Sequence, residues 1–205
     1  MQGPAEKPVL FGRTDAFPRP GWHTELHTAH RINRAVHDIP DTERMKNIVN
    51  TVRKAENRDI PAILNLLVQV DMVHHKGRPD LFKGPATKYS EEQLRVILTD
   101  PETPVFVCVD EGGQVLGHAF CMFQQRRNDN ILTDIRTLYI DDICVDQAAR
   151  GQGVGRTLYD YVHQFARETG CYNLTLNVWA LNEGARRFYE KCGLVPQKYG
   201  METLL

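Results

Sequence analysis

The 205-residue sequence is narrowed first by what it lacks. No apolar run approaches the roughly 18 residues of a membrane-spanning helix, and no charged N-terminal region precedes an apolar stretch, so neither a span nor a secretion signal is expected. Charge of one sign is also missing. The 25 Lys and Arg against 26 Asp and Glu give a net charge of −1, which excludes a global field able to recruit nucleic acid or an anionic membrane. Any charge-based recognition must be local. Cysteine is sparse and unpatterned: five residues, an odd number with no C-x-x-C pair, argue against a zinc site and a full disulfide framework. Reduced, mostly buried thiols in a cytoplasmic protein are expected instead. Internal repeats and low-complexity tracts are absent. What remains has the length for one well-filled α/β domain with a short appendage.

That appendage is residues 1–44, which hold five of the 11 Pro (Pro4, Pro8, Pro18, Pro20, Pro40) and four of the eight His. Within it Leu26, Ala29, Ile32, Val36 and Ile39 recur at helical spacing after a possible Thr24 cap. His23, His27 and His30 share a face of such a helix, but no carboxylate or Cys completes a ligand set, so solvated histidines are expected and no metal. Met45 opens the domain, residues 45–205, and is a candidate translational start.

The domain pattern begins with a strand over 50–54 and a helix capped by Asn57, with Pro61 in its first turn and Ile60, Ile63, Leu64, Leu67 and Val70 on its apolar face. Residues 71–89 read as irregular. Ser90 to Gln93 form a capping-box pattern for a second helix through about Leu98. Strands over 105–109 and 114–123, joined at Asp110-Glu111-Gly112-Gly113, predict a hairpin. A third strand over 138–145 runs into a glycine-rich turn and a helix with Val154, Leu158, Tyr161, Val162 and Phe165 on one face. A strand over 172–178, a helix over 182–192 ended by Gly193, and a last strand over 194–203 complete the chain. This order fits a mixed sheet with helices on its faces.

The turn Arg150-Gly151-Gln152-Gly153-Val154-Gly155-Arg156 carries the strongest signal. Glycines remove side chains where a strand enters a helix, and first-turn N–H groups with the helix dipole make a site for a phosphate or pyrophosphate. Arg150 and Arg156 add positive charge. Tight strand-to-helix packing alone is the plain alternative. The spacing is neither G-x-G-x-x-G nor a P-loop. It is Arg-x-x-Gly-x-Gly at Arg150, Gly153 and Gly155, and with Asn182, Ala185 and Phe188-Tyr189-Glu190-Lys191-Cys192-Gly193-Leu194 further on, residues 50–205 resemble the GNAT superfamily of acetyl-CoA-dependent N-acetyltransferases. The stretch Tyr139-Ile140-Asp141-Asp142 is closest to the polyamine-acetylating branch, which carries a Glu where this chain has Asp141.

The resemblance implies a central twisted mixed sheet of six to seven strands flanked by about four helices. Ile143 and Val145 would lend main-chain groups to the pantetheine arm, Gln152 to Arg156 would hold the pyrophosphate, and Asn182 would contact pantetheine or simply cap its helix. It further implies acetyl-CoA and an amine acceptor as partners, and a homodimer.

Acetyl transfer to an amine needs a neutral nucleophile, a donor for the oxyanion and a proton for the departing thiolate. An alkyl amine with a pKa near 10 must lose a proton, and Asp141 and Asp142, inside an otherwise apolar strand, are candidate bases. Regular alternation points them to opposite faces unless a bulge intervenes, and Asp141 is the first choice, working through water. A main-chain N–H such as that of Val145 would meet the oxyanion. Tyr189 can protonate the thiolate, or merely pack on Phe188. Cys144 as a covalent carrier lacks an evident His partner. His118 reads as structural. Residues 72–83, with His74 and His75 read as an exposed pair, would form the acceptor loop, and Asp134, Asp141 and Asp142 hint at a cationic amine. The expected activity is transfer to a primary amine of a small molecule, in a ternary complex. A protein or peptide N-acetyltransferase and a silent acyl-CoA sensor are the alternatives.

Overall fold

The computed structural model describes residues 50–205. The appendage, with the helix expected around Leu26 to Ile39 and its histidines, and the first residues of the domain, Met45 included, lie outside the described residues.

Five strands form one sheet: β1 (Thr51–Lys54), β2 (Val105–Val109), β3 (Val115–Gln125), β4 (Arg136–Val145) and β5 (Asn173–Leu176), side by side in that order. The first three pairings are antiparallel, and β5 returns parallel to β4. A parallel return needs a crossover, here α3 (Val154–Glu168). Helices α1 (Ile60–Gly77) and α2 (Glu91–Ile97) cover one face of the sheet, α3 covers the other, and α4 (Glu183–Lys191) follows β5. The run Val-Phe-Val-Cys-Val in β2 is buried throughout, as a central strand covered on both faces must be. Val105, Val107 and Val109 pack with Ile63, Leu67 and Leu94 on the α1–α2 side. Phe106 and Cys108 pack with Leu158 and Val162 on the α3 side. The hairpin forms where expected, with Gln114 N–H donating to Asp110 Oδ1 at 2.8 Å and Gly113 at φ 82°. All five cysteines are free thiols, three of them buried.

The structure departs from the expectations in four places. Asn57 is not a cap: a short 3-10 turn, Asn57–Asp59, precedes α1, and Glu56 with Asp59 forms the capping box. Helix α1 continues past Val70 to Gly77, because nothing in residues 71–76 breaks a helix once its first turns are packed. His74 and His75 therefore stand on its last turn, and each meets Phe82: His74 through its ring at 5.0 Å, His75 through Nδ1 at 2.7 Å from the carbonyl oxygen. Finally, among the described residues the sheet has five strands, not six to seven. The strand expected over 194–203 does not form; Pro196 has no N–H for a ladder, and Glu202 is drawn instead into a bidentate pair with Arg78 at 2.8 Å.

One ion pair locks β1 to the start of α1. Arg53 donates to both oxygens of Asp59 at 2.6 and 2.8 Å, and the Glu56 N–H adds a bond at 2.8 Å. Asp59 is only 4% exposed. Burial pushes its carboxyl up, but the Arg53 and Glu56 hydrogen bonds outweigh burial and hold it below the ordinary value. A depressed folded-state pKa means that the stabilisation is present above the unfolded pKa and is lost as pH falls through the folded one. Arg53→Met should therefore lower the unfolding free energy by roughly 3 kcal/mol at neutral pH, since it strands a buried carboxylate. In urea titrations the gap from the wild type should shrink as pH drops below about 4, and a gap that persists undiminished to about pH 2 would contradict the assignment.

Candidate active site

Strands β4 and β5 part early. They are paired only from Thr137 with Asn173 to Ile140 with Leu176. Beyond that point β4 runs on to Val145 with no strand beside it on that edge among the described residues. On the other edge the Asp146 N–H donates to the carbonyl of Leu116 in β3 at 2.8 Å. Strand alternation then turns the N–H groups of Val145 and Ile143 toward the open side. A ligand with amide groups can add to this edge as a strand would.

Within the same stretch β4 carries one residue too many. Phe120 faces Asp142 while Cys121 faces Ile140, so Asp141 is the extra residue of a bulge. Its effect is to bring both carboxylates to one face. Asp141 Oδ2 accepts from Tyr89 Oη at 3.1 Å and from the Lys88 ammonium at 2.5 Å, and Asp142 Oδ2 lies 3.0 Å from His118 Nε2. Tyr89 and Phe120 belong to the cluster on the α1–α2 side, and the His118 ring packs edge-on against Phe120. Asp141 is 16% and Asp142 11% exposed. Asp141 Oδ1 has no hydrogen-bond partner among the described residues. His118 is fully buried with Nδ1 unpartnered. With its proton on Nε2 it donates to the Asp142 carboxylate and leaves Nδ1 as a bare acceptor.

At the end of β4, Asp146 caps a short turn by accepting from the Ala148 N–H at 2.8 Å. Gln69 of α1 clamps that turn through Asp146 Oδ2 at 3.0 Å and the Gln147 N–H at 3.1 Å. Gly151 and Gly153 then take φ of 79° and 84°, and a Cβ on either would meet nothing within 4 Å. The glycines thus serve the left-handed backbone and leave open space in front of the α3 N-terminus, which begins at Val154. Gly155 is different: a Cβ there would touch Val145 and Phe188 at 3.5 to 3.6 Å, ordinary contact. Arg150 is tied by Nε to the Val145 carbonyl at 3.1 Å and has no acidic partner among the described residues. Arg156, by contrast, is committed to Asp160 at 2.8 Å, and Gln152 donates to the Ala148 carbonyl at 3.0 Å.

Tyr189 lies on α4 with its ring 5.2 Å from that of Phe188. Burial, then the charges of Asp142 and neighbouring thiols, push its phenol well above the ordinary value. It shares surroundings with Asp142 and Cys144 and stays protonated at every physiological pH. Cys144 is buried, its thiol pushed up to about 12, first by burial and then by Asp142, which leaves it no thiolate for covalent chemistry. Asn182 caps α4 by accepting from the Ala185 N–H at 3.1 Å. The expected acceptor loop meets the segment after β5, with the Phe82 and Trp179 rings 5.2 Å apart edge to face. Asp134 stands apart, ahead of β4 and seven residues from Asp141. Sequence reasoning missed Lys88, Tyr89 and Gln69, since no periodicity or motif marks residues that reach the site only through tertiary packing.

An unpaired strand edge, two acids on one face and a glycine turn opening onto a helix N-terminus follow one another along β4 and its continuation. Residues 71–194 match the acetyltransferase (GNAT) family, and the chain belongs to it. That family is one of acetyltransferases. Glucosamine 6-phosphate N-acetyltransferase 1 of Oryza sativa subsp. japonica is 36% identical over 66 residues, 32% of this chain and 38% of that one. The chain therefore spans less than half the length of this first relative. Thialysine N-epsilon-acetyltransferase of Bos taurus is 28% identical over 152 residues, 69% of this chain and 82% of that one. The solved tetramutant of the BH1408 protein from Bacillus halodurans superposes with a TM-score of 0.72 at 28% identity, covering 76% of this chain and 99% of that one. Among the described residues no group of three His, Cys, Asp or Glu is placed to hold a metal, and no helix is long and apolar enough to cross a membrane.

The glycines give a graded test. Gly151→Ala and Gly153→Ala should each cost roughly 1–2 kcal/mol of stability, because an L residue is strained at their φ, and should weaken acetyl-CoA binding in calorimetry. Gly155→Ala should leave both nearly unchanged. Equal loss of binding in all three would show that open space, not conformation, is the requirement.

Proposed function

We propose that this chain transfers the acetyl group of acetyl-CoA to a primary amine of a small cationic molecule, by direct attack within a ternary complex. The observation that carries this reading is the bulge at Asp141, which sets two carboxylates on one face beside the open edge of β4. The match with the polyamine-acetylating motif and the acidity of the site support a cationic acceptor. Residues 45–205 are the catalytic domain in this reading, and 1–44 an extension.

When bound, acetyl-CoA supplies the acetyl group as an activated thioester. The main-chain groups of Ile143 and Val145 hold the pantetheine arm along the open edge. Arg150, the glycine turn from Gly151 to Gly155 and the first N–H groups of α3 receive the pyrophosphate; Arg156, paired with Asp160, contributes less. Asn182 fixes the start of α4 by its cap, and so places Tyr189. Asp141 binds the acceptor's ammonium through its free Oδ1 and takes its proton, directly or through one water. Asp142, in contact with His118 at 3.0 Å, adds a second acid on the same face. A strand advances about 3.3 Å per residue, so the Ile143 N–H lies roughly 7 Å along β4 from Asp141 and the Val145 N–H roughly 13 Å. The oxyanion next to an amine held at Asp141 thus falls to Ile143 rather than Val145. Tyr189, which burial keeps protonated, is the proton donor for the departing thiolate.

Calorimetry with acetyl-CoA and a panel of acceptors (spermidine, lysine, glucosamine 6-phosphate, a peptide N-terminus) should show micromolar cofactor binding and turnover of a small amine. Tyr189→Phe should keep binding and lose about a hundredfold in kcat, and Asp141→Asn a similar factor in kcat/KM. The wild-type kcat should show no falling limb from Tyr189 below about pH 10, because its folded-state value is raised. A Tyr189→Phe enzyme with undiminished thiol release would remove Tyr189 from the mechanism. Binding without turnover of any acceptor would favour an acyl-CoA sensor.

A further inference from the structure

The group that already sits on Asp141 is itself a primary alkylammonium. Lys88 belongs to the stretch between α1 and α2. Its anchors are the Ala86 N–H on Asp71 at 3.1 Å, Thr87 Oγ1 on the Tyr89 carbonyl at 2.9 Å and Tyr89 Oη on Asp141 at 3.1 Å. From this frame Lys88 Nζ reaches Asp141 Oδ2 and lies 5.5 Å from the centre of the Tyr89 ring. The side chain is 45% exposed, so its end can shift without unpacking the core. Carboxylate, phenol and ring face together form a pocket for R–NH3+, and Lys88 presents to it the end that an acceptor would present.

Other polar groups bear on this pocket. Asp142 lies beside it on the same strand, bonded to His118 of β3, and Tyr189 of α4 is near enough to Asp142 to feel its charge. Other lysines of the domain have no such arrangement: among the described residues Lys88 alone pairs with an acid. Its ammonium is held above its ordinary value because the Asp141 hydrogen bond and charge outweigh burial, which acts the other way. The amine is freed for attack only by the same proton acceptor that serves an external amine.

We infer that Lys88 is a self-acetylation site: with acetyl-CoA bound and no acceptor present, the enzyme transfers the acetyl group to its own Lys88 Nζ. This rests on the proposed function. The Lys88 ammonium gives a proton to Asp141, its nitrogen forms an amide bond with the acetyl carbonyl carbon, the carbon–sulfur bond breaks, and the thiolate takes a proton from Tyr189. Tyr189 is restored from solvent, as is the free carboxylate of Asp141. The reach is adequate, since the oxyanion donor Ile143 lies two residues along the strand, roughly 7 Å, from the carboxylate that holds Lys88. The product is a neutral amide that no longer pairs with Asp141, so acetylation also vacates the acceptor's subsite.

The full chain incubated with acetyl-CoA alone should gain one acetyl group per molecule, mapped by peptide mass spectrometry to Lys88. The rate constant should not change with enzyme concentration over a hundredfold range, as expected of an intramolecular step. Lys88→Arg keeps a cation on Asp141 but offers no acylatable amine, and should abolish the mark. Asp141→Asn should slow it at least tenfold. A second readout needs no acetyl-CoA: with a succinimidyl acetate reagent, Lys88 of the free protein should label at least threefold more slowly than Lys83, and Asp141→Asn should erase that difference. Labelling scattered evenly over Lys76, Lys83, Lys88 and Lys191, or second-order in enzyme, would overturn the inference. So would acetylation of the amine panel at full rate with Lys88 unmarked, which leaves the proposed function intact. Failure to bind acetyl-CoA at all overturns both.

Discussion

Two β4 residues standing opposite one step of β3 change what the strand can do. In a regular ladder Asp141 and Asp142 would face opposite sides, one of them lodged against the apolar residues of α3. The bulge removes that conflict. It turns both acids to the α1–α2 face, within reach of Lys88, Tyr89 and His118, and it increases the local twist just where β4 leaves β5. The open edge, the acid pair and the run into the glycine turn are consecutive because they belong to one strand. Displacing any one of them would displace the others.

Burial of two carboxylates side by side is costly unless each is matched, and the fold matches them differently. Asp142 is met at 3.0 Å by His118 from the adjacent strand, which fixes its position. Asp141 receives a full cation from an irregular segment. The first arrangement is rigid, since His118 is enclosed in the sheet. The second is exchangeable, since Lys88 is nearly half exposed. One acid of the pair is thus held for good and the other is held until something replaces its partner, a division suited to a site that must admit and release an amine.

Much of this was legible in the sequence because it depends on local chemistry. The hairpin follows from Asp110-Glu111-Gly112-Gly113, α2 from the Ser90 capping box, and the turn before α3 from Gly151 and Gly153, whose positive φ only glycine tolerates easily. Strand alternation even set the terms on which Asp141 and Asp142 could share a face. The bulge itself left no mark, for no residue type distinguishes Asp141 as the one that slips out of register. Lys88 and Gln69 were equally silent, as their partners are 53 and 78 positions away. The strand expected over 194–203 erred in the other direction: its apolar residues suited a strand, but a strand needs a neighbour with unpaired groups in register, and Arg78 holds Glu202 elsewhere.

The shorter acid at position 141 ties these points together. A Glu, one methylene longer, would carry its carboxylate further along toward an acceptor. An Asp on a bulge keeps its carboxylate close to the sheet, and the gap is bridged from outside, by Tyr89 from the flank of the core and by Lys88 from above it. Tyr89 is pushed up in pKa, by burial first and then by the Asp141 charge, so it remains a hydrogen-bond donor and never competes for the acceptor's proton. Lys88 has the opposite property: it competes directly, being the same functional group as the acceptor. An external amine must therefore either use the free Oδ1 beside Lys88 or take its place. In both cases the acceptor is selected against a tethered ammonium rather than against water. Only an amine that recovers more from Asp141, Asp142 and the walls of the cleft than Lys88 does from Asp141 and Tyr89 will hold the site, which is a stricter demand than net charge alone could impose.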